Sequence, residues 1–206
     1  MSKTRISNDP TPFHPMVLEL ALLDPGVNVA YLARPCQYML SSDEGDCDSR
    51  YWSDRRFSKE VIDSMNEGVD SIVNKSGASE LHLIGYSGGA AIATLLAAQR
   101  NDIKSLRTIA GNLDPKGVNE HHQVSSLVDS LGPLDVAARL RQLPQRHFVG
   151  SRDTVVPEFI VDRFMAAQGP GRCSKKMVVQ GVSHSKGWQE QWRQLLRLPV
   201  QCEDTV

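Results

Sequence analysis

The sequence has almost no net charge and few aromatic side chains. Its 206 residues carry a formal charge of −1 at pH 7, and only 6% of them are aromatic. Proteins that bind nucleic acids or membrane surfaces generally present an excess of basic residues. We therefore expect no nucleic-acid partner, and a site for a small neutral molecule fits the composition better.

The chain also lacks an apolar run long enough to cross a membrane. Its first residues, Met1-Ser2-Lys3-Thr4-Arg5, lead into a polar, proline-containing stretch instead of the apolar core of a signal peptide. As the sequence is written, we expect the protein to stay soluble in the cytoplasm and not to be exported.

Motifs for metals and nucleotides are absent. The four cysteines, which are Cys36, Cys47, Cys173 and Cys202, include no C-x-x-C pair and have no histidine at metal-ligand spacing, so we expect no metal. No G-x-G-x-x-G follows a strand and no G-K-[ST] occurs, which argues against a nucleotide site, and no cofactor is expected. Cys36 and Cys47 lie in one polar loop and can form a disulfide, which would indicate an oxidising compartment. Four free thiols in a cytosolic protein are the alternative that the sequence leaves open.

Strand-like and helix-like segments alternate along the chain. The length suits one domain spanning residues 1–206, with residues 1–14 as an extended arm and residues 112–135 as a loop-rich excursion near the predicted site. The patterns predict strands over 27–32, 81–85, 106–110, 146–150 and 176–180, and helices over 16–23, 57–73, 88–98, 134–143, 157–165 and 188–196. Ser58 is the expected cap of the second of these helices, and Gly77 lies beyond its end. This alternation predicts the α/β class, a mostly parallel, doubly wound sheet with helices on both faces.

The stretch Gly85-Tyr86-Ser87-Gly88-Gly89 joins a predicted strand to an Ala/Leu-rich helix. Gly-x-Ser-x-Gly between a strand and a helix is typical of a nucleophile elbow, with Ser87 at its tip. We expect side chains at Gly85 and Gly89 to collide with neighbouring chain, and the Gly88 amide to face a developing oxyanion at the helix N-terminus. The alternative is an ordinary glycine-bearing turn of any doubly wound domain.

Two further loops after predicted strands carry the residues that a serine nucleophile needs. His184 would act as the base and Asp153 would orient its ring, and the order Ser87, Asp153, His184 is that of the α/β-hydrolase fold. Rival residues are Asp114 for the acid, and His121 and His122 for the base. Tyr86, Trp52 and the two adjacent histidines are candidates for binding substrate, whereas His14, His82 and His147 are expected to be structural or solvated.

At these residues the chain resembles the α/β-hydrolase superfamily, through GYSGGA around Ser87, GSRDTVVP around Asp153 and GVSHSKGW around His184. LARPCQY and AGNLDP are similar to a group of bacterial α/β-hydrolases, several of them exported. Members of the superfamily usually place further strands and a Gly-rich loop before the equivalent of residues 16–23, and no such segment is written here. The sequence therefore identifies no second oxyanion donor, and residues 27–32 should either pair with the elbow strand or face a gap.

A late-assigned start and a minimal variant both explain this departure, and the first would allow an exported protein. The combined motifs predict a serine hydrolase that acts on carboxylic esters or thioesters of small acyl groups through an acyl-enzyme on Ser87. The alternative is a non-catalytic or impaired protein of the same fold that binds a ligand or partner in its cleft. The oligomeric state is not predicted.

Overall fold

The computed structural model describes residues 6–39 and 47–202. Four parallel strands form one sheet in the order β1-β2-β3-β4. They are β1 (Leu81–Tyr86), β2 (Ile103–Ile109), β3 (Gln145–Gly150) and β4 (Ser174–Val179). Because all four strands run the same way, their carboxyl ends open on one edge of the sheet.

Helices connect the strands and cover both faces of the sheet. They are α1 (Met16–Leu22), α2 (Lys59–Ser76), α3 (Gly88–Ala97), α4 (Pro115–His121), α5 (Pro133–Val136), α6 (Phe159–Gln168) and α7 (Trp188–Arg197), with short 3-10 turns at Ser49–Trp52 and Ala137–Leu140. Side chains of α1 and α7 form a core on one face, where Trp188 and Trp192 are almost fully buried. Side chains of α3, α5 and α6 form the core on the other face. The predicted doubly wound, parallel architecture is confirmed.

Helix α2 shows how the local sequence sets these elements. Ser58 caps its N-terminus, where the side-chain oxygen accepts from the Val61 amide, and Gly77 ends it in a left-handed conformation with φ of 70°. Apolar residues at three- and four-residue spacing bury one side of α2 against α3. The cap, the stop and the apolar spacing predicted from the sequence are therefore confirmed.

Residues 27–32 do not form the predicted strand. They have no assigned strand structure, and β1 is the edge strand of the described sheet. This segment and β1 both line a cavity of about 1100 Å³. A β-prone segment becomes a strand only when a neighbouring strand pairs with its backbone N–H and C=O groups. Here the cavity lies between residues 27–32 and β1, so the two do not pair. The sequence allowed residues 27–32 either to pair with the elbow strand or to face a gap, and the structure shows the second arrangement.

The excursion over residues 112–135 contains helix α4, which the sequence analysis did not predict. Asp114 caps this helix by accepting from the Gly117 amide at 2.9 Å, and Pro115 occupies its first position. Both features are typical of a helix start. The sequence pattern predicts a loop here because α4 is only seven residues long and has no extended apolar repeat.

All four cysteines are paired. Cys36 bonds to Cys47 with a Cα–Cα separation of 5.7 Å, and Cys173 bonds to Cys202 at 4.5 Å. The sequence left open whether Cys36 and Cys47 are free thiols or a disulfide, and the structure has the disulfide. The disulfide between Cys173 and Cys202 was not predicted. It ties the segment after α7 to the residue that precedes β4.

No helix within residues 6–39 and 47–202 has the length and hydropathy needed to span a bilayer.

Candidate active site

Ser87 lies in the turn between β1 and α3, in the conformation expected of a nucleophile elbow. Its φ of 50° and ψ of −121° are unusual for a residue with a side chain. Strand β2 and the loop after it hold this turn, because the Ser87 amide donates to the Ile109 carbonyl at 2.9 Å and the Asn112 amide donates to the Ser87 carbonyl at 3.0 Å. Such strain persists only where the surrounding structure fixes it.

The glycines around Ser87 have different roles. A Cβ on Gly85 would lie 2.5 Å from the Ala90 Cα, so only glycine lets β1 and α3 approach this closely. At Gly89 a Cβ would meet nothing within 4 Å, so the expected collision there is wrong, since this position faces open space. Gly88 is the first residue of α3, where an amide has no partner within the helix and can donate to an anion.

His184 lies between Ser87 and Asp153. Its Nε2 is 3.0 Å from the Ser87 Oγ, and its Nδ1 is 2.9 Å from the Asp153 Oδ2. An ionised carboxylate can only accept, so Nδ1 carries the proton and Nε2 presents its lone pair to the serine hydroxyl. The structure thus brings together the three residues predicted from the sequence.

Backbone contacts fix the orientation of Asp153. Its Oδ1 accepts from the amides of Val155 and Val156, both at 2.8 Å, which leaves Oδ2 for the histidine. The side chain has 0% exposure and the His184 side chain has 17%. Because little water reaches the carboxylate, its interaction with the imidazole is weakly screened.

The loops that carry Asp153 and His184 are joined directly. The Ser151 amide donates to the Val179 carbonyl at 3.0 Å, and the Arg152 amide donates to the Val182 carbonyl at 2.9 Å. Gly150 permits this approach, because a Cβ there would lie 2.6 Å from the Val182 carbonyl oxygen. The acid and the histidine are therefore held as one unit.

Tyr86 supports the histidine backbone and also lines the cavity that Ser87 lines. Its hydroxyl donates to the His184 carbonyl at 2.9 Å, and the Trp188 indole donates to the same oxygen at 2.9 Å. Burial, together with the nearby charge of Asp153, raises the pKa of Tyr86 to about 12. The hydroxyl therefore remains a neutral donor at physiological pH.

The rival acid and bases lie elsewhere. Asp114 caps α4 and pairs with Arg163 at 3.0 Å, which is a structural role. His122 contacts the Val155 carbonyl at 2.8 Å through Nε2, and His121 packs against Phe159. Neither histidine is among the residues that line the cavity beside Ser87.

Trp52 is also away from that cavity among the described residues, because its indole donates to the Ser7 carbonyl at 2.9 Å and so anchors the N-terminal arm. Arg34, which the sequence analysis did not single out, does line the cavity with Ser87. Its Nη1 is 3.7 Å from where a Cβ on Gly88 would lie. The signals in the sequence were its place two residues after the apolar segment 27–32 and its position within the LARPCQY stretch.

No cluster of three or more potential metal ligands occurs among the residues that the structure describes.

Comparisons with known proteins agree with this geometry. The family profile described as Serine hydrolase (FSH1) matches residues 12–180. A puromycin hydrolase superimposes with a TM-score of 0.57 at 19% identity, over 70% of this chain and 25% of its own. A Pyrococcus furiosus esterase superimposes with a TM-score of 0.53 at 18% identity, over 67% of this chain and 59% of its own. TT1662 from Thermus thermophilus superimposes with a TM-score of 0.51 at 22% identity, over 66% of this chain and 59% of its own.

The chain thus spans a quarter of the puromycin hydrolase and about three fifths of each of the other two proteins. These similarities show the α/β-hydrolase fold. No curated protein matches the chain.

Proposed function

The chain belongs to the FSH1 serine hydrolase family, and from that premise we propose that it hydrolyses carboxylic esters or thioesters through an acyl-enzyme on Ser87. The observation that supports the proposal most directly is the continuous hydrogen-bonded chain from Ser87 through His184 to Asp153, with links of 3.0 and 2.9 Å. The first link has the length that proton transfer from the serine to the imidazole requires, and the second holds the imidazole in the orientation for that transfer.

In the acylation step the Ser87 Oγ attacks the carbonyl carbon of the substrate and transfers its proton to Nε2 of His184. The carbonyl electron pair moves to oxygen and gives a tetrahedral oxyanion. When the intermediate collapses, the bond to the alcohol or thiol breaks and the leaving group takes the proton from His184. Asp153 stabilises the imidazolium while it exists.

In the deacylation step a water molecule takes the place of the alcohol or thiol. His184 removes one proton from the water, and the hydroxide oxygen attacks the acyl carbon. The bond to the Ser87 Oγ then breaks, the carboxylic acid is released, and the proton returns from His184 to the serine. The enzyme is regenerated, and one water is consumed for each ester.

The Gly88 amide is the donor assigned to the oxyanion. It begins a helix of ten residues, so the peptide dipoles of α3 add to the attraction of the amide itself. Removing one such donor typically costs about 10²–10³ in rate, so the efficiency of this site depends on how many donors surround the oxyanion.

Labelling with a fluorophosphonate probe tests the assignment, because such probes phosphonylate only an activated serine. We expect the wild type to gain one adduct on Ser87, detected by peptide mass spectrometry, and Ser87→Ala to gain none. Ser185→Ala is the matched control, since this exposed serine directly follows His184 and its hydroxyl has no hydrogen bond to Ser87, Asp153 or His184 in the described structure. It should label as the wild type does, and both esters and thioesters of short acids should then be tried as substrates.

A folded wild type that gains no adduct would contradict the proposal. It would favour the alternative, a protein of this fold that binds a ligand in the cleft without catalysis. Circular dichroism on the same sample shows whether the protein is folded.

A further inference from the structure

Arg34 lies close to the proposed nucleophile, with its Nη1 3.7 Å from where a Cβ on Gly88 would lie. The guanidinium of Arg34 lines the cavity that Ser87 and Gly88 also line. Burial, together with the charge of Arg56, lowers the pKa of Arg34. Burial lowers the pKa of Arg56 as well. Arg34 therefore places a positive charge, partly withdrawn from water, at the N-terminal end of α3.

Neither guanidinium has a carboxylate partner within 4 Å among the described residues. Arg56 donates through Nε to the Ser53 carbonyl at 2.6 Å, and Asp54 acts on it only at longer range. Four other described arginines do have such a partner, namely Arg50, Arg55, Arg100 and Arg163, and Arg50 for example pairs with Asp48 at 2.7 Å. A buried charge without a partner is costly, so this pair is suited to an anion that arrives from outside.

The position of Arg34 is set by the loop that follows it. Its amide donates to Gln37 Oε1 at 3.2 Å, and the Gln37 amide donates back to the Arg34 carbonyl at 3.1 Å. The disulfide between Cys36 and Cys47 closes the same loop. These contacts hold the main chain of Arg34 in place, so binding of an anion has to order only the side chain.

We propose that Arg34, supported by Arg56, binds a carboxylate of the substrate, so that the esters hydrolysed at Ser87 carry a negative group a few bonds from the scissile carbonyl. This inference rests on the proposed function and departs from the neutral substrate expected from the composition. The planar guanidinium matches a carboxylate with two parallel hydrogen bonds. Because a hydrogen bond to a charged group is strong, losing it lowers affinity roughly tenfold or more.

Matched esters test the proposal. Monoethyl succinate carries a carboxylate on the acyl side, butyryl glycolate carries one on the alcohol side, and ethyl butyrate is the neutral reference. We expect the wild type to have a kcat/KM for one of the two charged esters that is roughly tenfold or more above that for ethyl butyrate. The charged ester that is preferred identifies the side on which the carboxylate lies.

Variants show whether Arg34 causes the preference. Arg34→Gln should abolish it by lowering kcat/KM for the preferred charged ester roughly tenfold or more, with a smaller effect on ethyl butyrate. Arg34→Lys should keep part of the preference. Arg50→Gln, an exposed arginine with its own carboxylate, is the control and should retain the full preference. If Arg34→Gln does not fold, Arg56→Gln takes its place in the same comparison.

An unchanged preference in Arg34→Gln would overturn the proposal. So would an equal loss on charged and neutral esters, because that result would mean that Arg34 assists the oxyanion in general. In both cases the hydrolysis of ethyl butyrate shows that the proposed function stands.

If no ester is hydrolysed and Ser87 is not labelled, the proposed function fails. A binding measurement then tests separately whether Arg34 binds a carboxylate. The probe is monoethyl succinate, titrated by calorimetry into Ser87→Ala with and without Arg34→Gln. A roughly tenfold weaker affinity in the double variant supports the subsite, and equal affinities overturn it.

Discussion

Low pH should lower the free energy of unfolding of this protein in part through His147, a fully buried residue of β3. The residue has 0% exposure, and its Nδ1 is 2.8 Å from the Thr108 hydroxyl. Its Nε2 is buried with no hydrogen-bond partner in the described part of the chain, and the ring packs edge-on against Phe164. Burial lowers the pKa of His147 from its ordinary value of 6.5 to about 3.

The sign and size of the effect follow from these two values. Between about pH 6.5 and pH 3 the unfolded chain binds a proton at this position and the folded chain does not, so the free energy of unfolding falls as the pH falls. Each pH unit in this window is worth about 1.4 kcal/mol. The contribution of His147 therefore decreases by about 3 kcal/mol between pH 7 and pH 4, and by about 5 kcal/mol once both values are passed.

Urea unfolding at a series of pH values measures this loss, with the variant His147→Asn as the comparison. Asparagine can keep a bond to Thr108 but does not titrate, so the wild type should lose about 3 kcal/mol more than the variant between pH 7 and pH 4. His82→Asn is the control for losing an imidazole–hydroxyl bond, because exposed His82 contacts the Ser105 hydroxyl at 2.8 Å. Parallel pH profiles for the wild type and His147→Asn would refute the reasoning.

Two other predictions concern the candidate site. Asp153→Asn should lower kcat on a short ester by a factor of about 10³–10⁴, because an amide no longer fixes the imidazole tautomer. Asp114→Asn is the comparison, and it should lower the stability of the protein while most of the rate remains. If Asp114→Asn loses more of the rate than Asp153→Asn, the acid is Asp114. Gly85→Ala should prevent either folding or the labelling of Ser87 by the fluorophosphonate probe, because the new Cβ would lie 2.5 Å from the backbone of α3. In Gly89→Ala the new Cβ meets open space, so Ser87 should be labelled as in the wild type. Equal labelling of the two variants would contradict this account of the elbow.

Local sequence alone determined most of the elements and the candidate nucleophile. Ser58 and Gly77 predicted the ends of α2 because a cap and a left-handed stop act within a few residues. The strand, the glycine-flanked serine and the helix predicted the elbow for the same reason. Asp153 and His184 could be predicted as its neighbours because parallel strands place their following loops at one edge of the sheet.

Only the tertiary structure decided which groups meet across larger distances. Cys173 and Cys202 pair over 29 residues, and Arg34 reaches the first turn of α3, and neither contact has a signal in the local pattern. Residues 27–32 have strand-like composition but no strand beside them, since hydrogen bonding in a sheet depends on what the fold brings alongside. Gly89 has space around it for the same reason, because the distance between neighbouring elements is set by packing and not by the motif that contains the residue.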